Sequence, residues 1–210
     1  MTEIIRDPEK IIDKSFSLIR AAFGPHSYGD DEFTVVTRIA HSTGDTDFAK
    51  EVVFSPGAVE SGLQALMKGC AVFTDVNMVK VGISKPLLQK FRCNCICHVS
   101  DEDVAAKSRE KKITRSELAV QKVSAEIEGG IVVVGNAPTA LFEVVRLVRE
   151  GTLNPALIIG FPVGFVGAEE SKRELTTVNV PYMTNLSKRG GTPVAVSAIN
   201  ALLNIQNGRG

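Results

Sequence analysis

The sequence predicts an α/β fold of three layers, a mostly parallel sheet with helices on both faces. Three observations carry that expectation. Short β-branched runs alternate with amphipathic stretches along the 210 residues, and strands separated by helices pair in parallel with the crossovers packed on the sheet faces. Two runs, Ile131-Val132-Val133-Val134 and Leu157-Ile158-Ile159, are apolar without alternation, as in strands buried on both sides. Glycine-rich polar segments follow these strands, at the carboxyl edge where open α/β sheets bind ligands.

The elements follow in order. Asp7-Pro8 opens the first helix as N-cap and first-turn proline, with an apolar stripe of Ile11, Ile12, Phe16, Ile19, Ala22 and Phe23. Ser15 lies inside that stripe, either bonding back to the carbonyl of Ile11 or aiming its hydroxyl into a pocket. A second helix ends near His41, before Gly44. Glu51 to Phe54 is a short strand, and Ser55-Pro56 starts a helix carrying Leu63, Leu66 and Met67. Ala71 to Thr74 is the next strand, then a strand through Cys93-Asn94-Cys95-Ile96-Cys97. The charged segment 101–112 reads as a solvated helix or surface loop. Thr114-Arg115-Ser116-Glu117 is a capping box that opens a helix to about Glu128. The Ile131 strand, a helix over 138–150, the Leu157 strand, a helix from about Ala168, a strand near Val180 to Met183 and a helix from Thr192 complete the chain. No repeat, low-complexity linker or domain boundary interrupts it, so residues 1–210 read as one domain.

Bulk composition excludes several classes. The hydrophobic fraction is 44%, the charged fraction 23% and the formal net charge zero, so no global field draws the protein to nucleic acid or membrane. No apolar run reaches the length of about 18 residues that a membrane-spanning helix needs. The first residues are charged and lack a signal-peptide core, which points to the cytoplasm. Anionic ligands must then be met locally, by arginines and helix N-termini.

The most informative segment is Arg38-Ile39-Ala40-His41-Ser42-Thr43-Gly44-Asp45. His41 is one of three histidines and closes a polar stripe running back through Arg38, Thr37 and Thr34 at helical spacing. An imidazole one turn from an arginine is a candidate proton donor beside an anion site. A carboxylate that neutralises Arg38 favours the protonated imidazole, so ligand binding would itself load the acid.

Other residues are read against plainer roles. Cys93, Cys95 and Cys97 at a spacing of two suit a strand with the sulfurs on one face. Zinc sites need a second ligand pair, so these are read as buried structural thiols, with no metal. Gly135-Asn136-Ala137-Pro138-Thr139 and Gly160-Phe161-Pro162-Val163-Gly164 end strands but match neither dinucleotide nor P-loop fingerprints. Arg115 sits in the first turn of a capped helix, where the macrodipole disfavours a cation, unless both hold an external carboxylate.

Together these segments resemble the precorrin-8X methylmutases, a family that includes the cobalt-precorrin-8 enzymes. The resemblance rests on Arg38 to Asp45, Asp75-x-x-Met78-Val79, Thr114-Arg115-Ser116, Gly135 to Leu141, Gly160 to Ala168 with Glu170-Ser171-Lys172, and Gly190-Gly191. Ser187-Lys188-Arg189-Gly190-Gly191-Thr192 is a variation on that family's Gly-Arg-x-Gly-Gly-Ser pattern. The resemblance implies a flavodoxin-like fold, a homodimer with active sites near the subunit interface, and an isomerase moving a methyl group from C-11 to C-12 of a corrin precursor. It implies His41 as the catalytic residue. Ser15, Arg38, Ser84 and Arg115 fall at substrate-contact positions, with Arg115 reaching in from the partner subunit. Asn136, Thr139, Ser171 and Arg189, within the matching segments, are further expected contacts. No cofactor is implied, since an intramolecular methyl shift is redox-neutral.

The chemistry fits these residues. A methyl migration around a conjugated macrocycle needs a held geometry and an acid rather than a nucleophile. The alternative is a corrinoid carrier without turnover, which would keep the arginines and not need His41. A nucleotide-binding module is disfavoured by the missing phosphate fingerprints.

Overall fold

The computed structural model describes residues 6–209. Strands β1 (Val52–Phe54), β2 (Ala71–Thr74), β3 (Asn94–Ile96), β4 (Ile131–Val134), β5 (Leu157–Gly160) and β6 (Tyr182–Asn185) form one sheet in the order β1-β6-β5-β4-β2-β3. All pairs are parallel except β1 with β6, where Val52 lies opposite Asn185 and Phe54 opposite Met183. The last strand begins at Tyr182 rather than Val180, because Pro181 has no N–H for a ladder; its carbonyl instead accepts from Ile158 at 2.9 Å.

The central strands send alternate side chains to two cores. Ile131, Val133, Leu157 and Ile159 face one, and Val132, Val134 and Ile158 face the other. Over the first core lie α2 (Asp30–Thr43), α4 (Ala58–Met67), α5 (Asn77–Gly82), α6 (Lys85–Lys90) and the long α11 (Thr192–Arg209). Over the second lie α8 (Arg115–Val123), α9 (Pro138–Arg149) and α10 (Ala168–Leu175). α1 (Pro8–Phe23) and α3 (Thr46–Ala49) flank α2, and α7 (Glu102–Lys111) packs on α8. The charged segment after β3 is thus helical, and α5 and α6 add two short helices that periodicity alone does not reveal.

Three sequence expectations change. The apolar stripe of α1 buries only Phe23; Ile11 and Ile12 stay 43% and 48% exposed. A hydrophobic stripe needs a partner, and among the described residues α1 packs chiefly on α2 and α3. Thr37, placed on a polar stripe, is buried, its hydroxyl donating to the carbonyl of Thr34 at 3.0 Å. Packing of α11 and α1 on two sides of α2 widens the buried arc beyond one face. The four cysteines are half-buried rather than buried, and of the three read onto one strand only Cys95 lies within it, since it spans Asn94–Ile96. Among the described residues no helix is long and apolar enough to cross a membrane.

Strand order also locates a switch point. From β2 the chain crosses to β3 on one side, while β4 leads to β5 and β6 on the other. The crevice between β2 and β4 at the carboxyl edge is where such sheets accept ligands.

Candidate active site

Asp75, the first residue after β2, occupies that switch point. It is fully buried, and its carboxylate accepts the N–H groups of Gly135 at 3.0 Å, Asn136 at 2.9 Å and Ala137 at 2.7 Å. Burial pushes its carboxyl above the usual range, and the three N–H donors pull against that. The clip fixes the loop between β4 and α9. Gly135 is required there, since a Cβ would stand 2.7 Å from Val79 and 3.1 Å from the Thr192 backbone.

That loop presents Asn136, exposed, and Thr139, whose hydroxyl lies 2.7 Å from the hydroxyl of Thr114. Thr114 is the N-cap of α8, accepting the Glu117 N–H at 3.2 Å. The N-termini of α8 and α9 are thereby joined, with Arg115 exposed beside them. Asn136, Thr139 and Arg115 form one group of expected contacts.

A second group gathers around α2. His41 is exposed at its last turn, and Gly44 ends the helix in the left-handed conformation, φ 66°. The His41 ring stacks on Phe16 of α1 at 5.1 Å between centroids, and the Arg38 guanidinium carbon lies 5.0 Å from the same ring. Ser15, half-buried, neighbours Phe16. The reversed direction of β1 is what carries this end of α2 to the carboxyl edge: β1 starts where β6 ends.

The loop after β6 closes against it. Arg189 pairs with Asp45 and, at 3.2 Å, with Glu51, its guanidinium carbon 4.7 Å from the centroid of Phe48. Gly191 donates to the Phe161 carbonyl at 2.7 Å and Gly164 to that of Lys188 at 3.1 Å, zipping the loops after β5 and β6 together. Lys172 of α10 supports them from below. Fully buried, its ammonium donates to Asn185 Oδ1 at 3.0 Å, to the Arg189 carbonyl at 2.6 Å and to the Ser187 carbonyl. Burial pulls the ammonium down to about 8, against Glu51 and Glu169.

Two expected contacts are engaged within the chain itself. Ser171 is fully buried and its hydroxyl donates to the Ala168 carbonyl at 3.1 Å, so it offers no surface to a ligand. Arg189 is neutralised by two carboxylates and acts as a clamp between loop and helix. Ser84, the N-cap of α6, is half-buried, with its N–H held by Asn200 of α11 at 2.9 Å. Sequence reasoning missed Asp75 and Lys172 as organisers, although both stand inside quoted segments. A lone acid ending a strand and a lysine in a charged helix carry no signal of burial. Among the described residues no three His, Cys, Asp or Glu side chains gather as a metal site.

The arrangement can hold a large anionic ligand over the carboxyl edge, between an exposed acid–base group and two helix N-termini. Residues 10–205 match the precorrin-8X methylmutase family. The chain is 40% identical to the cobalt-precorrin-8 methylmutase of Priestia megaterium, over 93% of this chain and 87% of that protein. It is 40% identical to the precorrin-8X methylmutase of Pseudomonas aeruginosa, over 96% of this chain and 98% of that one. Its fold superposes on the crystal structure of the precorrin-8X methylmutase from Thermus thermophilus with a TM-score of 0.87 at 34% identity, covering 95% and 98% of the two chains. From motif, sheet order and likeness together, the chain belongs to the precorrin-8X methylmutase family and is an isomerase of intramolecular methyl migration.

Proposed function

We propose that the chain moves a methyl group from C-11 to C-12 of precorrin-8 or its cobalt complex, with His41 as the general acid. The observation carrying this reading is the single aromatic floor under His41 and Arg38. It keeps an exposed imidazole and an exposed guanidinium side by side, where a macrocycle bearing carboxylates meets both. Arg38 takes a carboxylate and His41 protonates the conjugated ring, lowering the barrier to migration. Asn136, Thr139 and Arg115, at paired helix N-termini, take further carboxylates. The shift conserves electrons, so no redox cofactor is invoked.

The working form is a cytoplasmic homodimer. The apolar face of α1, together with Phe165 and Val166 at 88% and 87% exposure, is the kind of surface that a second copy covers. Arg115 and Ser84 then serve a site completed across the interface.

The test is a turnover and binding assay with metal-free and cobalt-containing precorrin-8. His41→Ala is expected to keep binding and to lose about 10²–10⁴ of the rate. Binding by the unaltered protein without turnover of either substrate would make the chain a carrier instead. Light scattering gives the subunit number, and a monomer that turns over sinks the shared-site part.

A further inference from the structure

At the amino edge of the sheet, away from the methylmutase site, two cysteines face each other. The ladder pairs Ala71 of β2 with Asn94 of β3 in parallel, so one step earlier Cys70 stands beside Cys93. Aligned residues of parallel strands send their side chains to the same face, and both cysteines pack on the first core. Neighbouring strands lie about 4.8 Å apart, inside the Cα separation of about 4.4–6.8 Å that disulfides span. Asn94 donates to the Cys70 carbonyl at 3.3 Å, which holds the two backbones in register.

The surroundings favour reaction. Both cysteines are half-buried rather than sealed. A cleft of about 370 Å³, lined by Met67, Lys68, Gly69, Lys90, Phe91 and Arg92, opens against the residues that precede each one. Hydrogen bonding from Cys70 holds the Cys93 thiol below the usual range, and the same interaction, with burial, pushes Cys70 above it. The pair is therefore asymmetric. Cys95, one turn of the pleat further on, is pushed up to about 11 by burial and stays a thiol.

We propose that Cys70 and Cys93 form a reversible dithiol–disulfide site, oxidised by a hydroperoxide that enters through the basic cleft. The Cys93 thiolate attacks one peroxide oxygen; an S–O bond forms, the O–O bond breaks, and the departing oxygen takes the proton lost from Cys93. The Cys70 sulfur then attacks the Cys93 sulfenic acid; the S–S bond forms, the S–O bond breaks, and hydroxide leaves as water with the Cys70 proton. Two thiols lose two electrons to one peroxide. A thiol reductant reverses the bridge, which ties β2 to β3 beneath the switch point.

The reduced full-length protein is treated with stoichiometric hydrogen peroxide, quenched with N-ethylmaleimide and digested without reductant for mass spectrometry. A Cys70–Cys93 linked peptide, two of the four cysteines lost to alkylation, and recovery with dithiothreitol are expected. Four alkylated cysteines, a link involving Cys95 or Cys97, or Cys93 driven to sulfinic acid without a link would overturn the proposal. In Cys70→Ser the Cys93 sulfenic acid should be trapped by dimedone, and in Cys93→Ser the Cys70 thiol should survive the same dose; the reverse pattern overturns the assigned order. The peptide map of the unaltered protein decides the bridge itself if either variant fails to fold.

Discussion

The imidazole of His41 lies stacked on the ring of Phe16, with centroids 5.1 Å apart and planes 14° from parallel. The contact joins the first helix, itself poorly buried, to the residue on which the proposed chemistry depends. Phe16 is only half-buried, so its packing contributes little to the core. Its role is to fix the attitude of a side chain that otherwise has open solvent on its outer side.

Phe16→Leu should therefore separate rate from stability. The unfolding free energy is expected to fall by no more than about 1 kcal/mol. The methylmutase rate should fall between about tenfold and a hundredfold, as a misplaced acid does. Urea unfolding and single-turnover rates on one preparation check both. A rate loss no larger than the stability loss explains would remove the positioning role.

Asp75→Asn should damage the switch point. The amide keeps one acceptor oxygen for three N–H donors and turns an N–H₂ group toward the Gly135 loop. About 2–3 kcal/mol of stability should be lost through buried donors without a charged partner. Amide hydrogen exchange at Gly135, Asn136 and Ala137 should quicken more than exchange in β5. Uniform quickening across the sheet would mean that the clip is not local.

Gly190→Ala tests the zipped loops. At φ 149° a Cβ would lie 2.5 Å from the Phe161 carbonyl oxygen and 2.8 Å from that of Pro162. The loop must shift, at a cost on the order of 3 kcal/mol, and carry Arg189 off Asp45. A lower melting temperature with a weaker bound-substrate signal is the expected pair of results. Gly208→Ala, where nothing stands within 4 Å of the new Cβ, is the control and should do neither.

Lys172 predicts a pH dependence. Its folded value of about 8 lies below the ordinary 10.5, so between these values the unfolded chain holds a proton that the folded chain has lost. Stability linked to this residue is fully present above 10.5 and is lost as pH falls toward 8. The change across the window is at most about 3 kcal/mol. The difference in unfolding free energy between the unaltered protein and Lys172→Met should therefore grow in favour of the unaltered protein from pH 8 to 10.5. A flat difference would mean that the ammonium stays charged on its three oxygen acceptors.

The layers of the fold were legible because burial on both faces leaves an unmistakable pattern. Ile131-Val132-Val133-Val134 has no polar residue to alternate with, and its four side chains are wholly buried. Helix faces were less legible, because their burial depends on neighbours far along the chain. Thr37 fits a polar stripe until α11 packs beside it, and Ile11 and Ile12 fit a core that this chain does not supply. His41 and Arg38 could be paired from helical spacing, but their shared floor on Phe16 joins two helices and has no local signature. The Asp75 clip is further out of reach, since its partners lie 60 to 62 residues away. The partners of Arg189 were hidden for the same reason: the carboxylates that pair with it are 138 and 144 residues distant.

The reversed edge strand has a consequence for how the protein is made. Among the described residues β1 has one neighbour in the sheet, β6. A ribosome delivers the amino-terminal segment first, so the stretch carrying His41 emerges long before Tyr182–Asn185 exists to receive β1. The central strands can begin to assemble while β1 waits at the side. The edge carrying the proposed site is thus among the last parts of the molecule to be sealed during synthesis, and a nascent chain halted after β5 would leave β1 without its β6 partner.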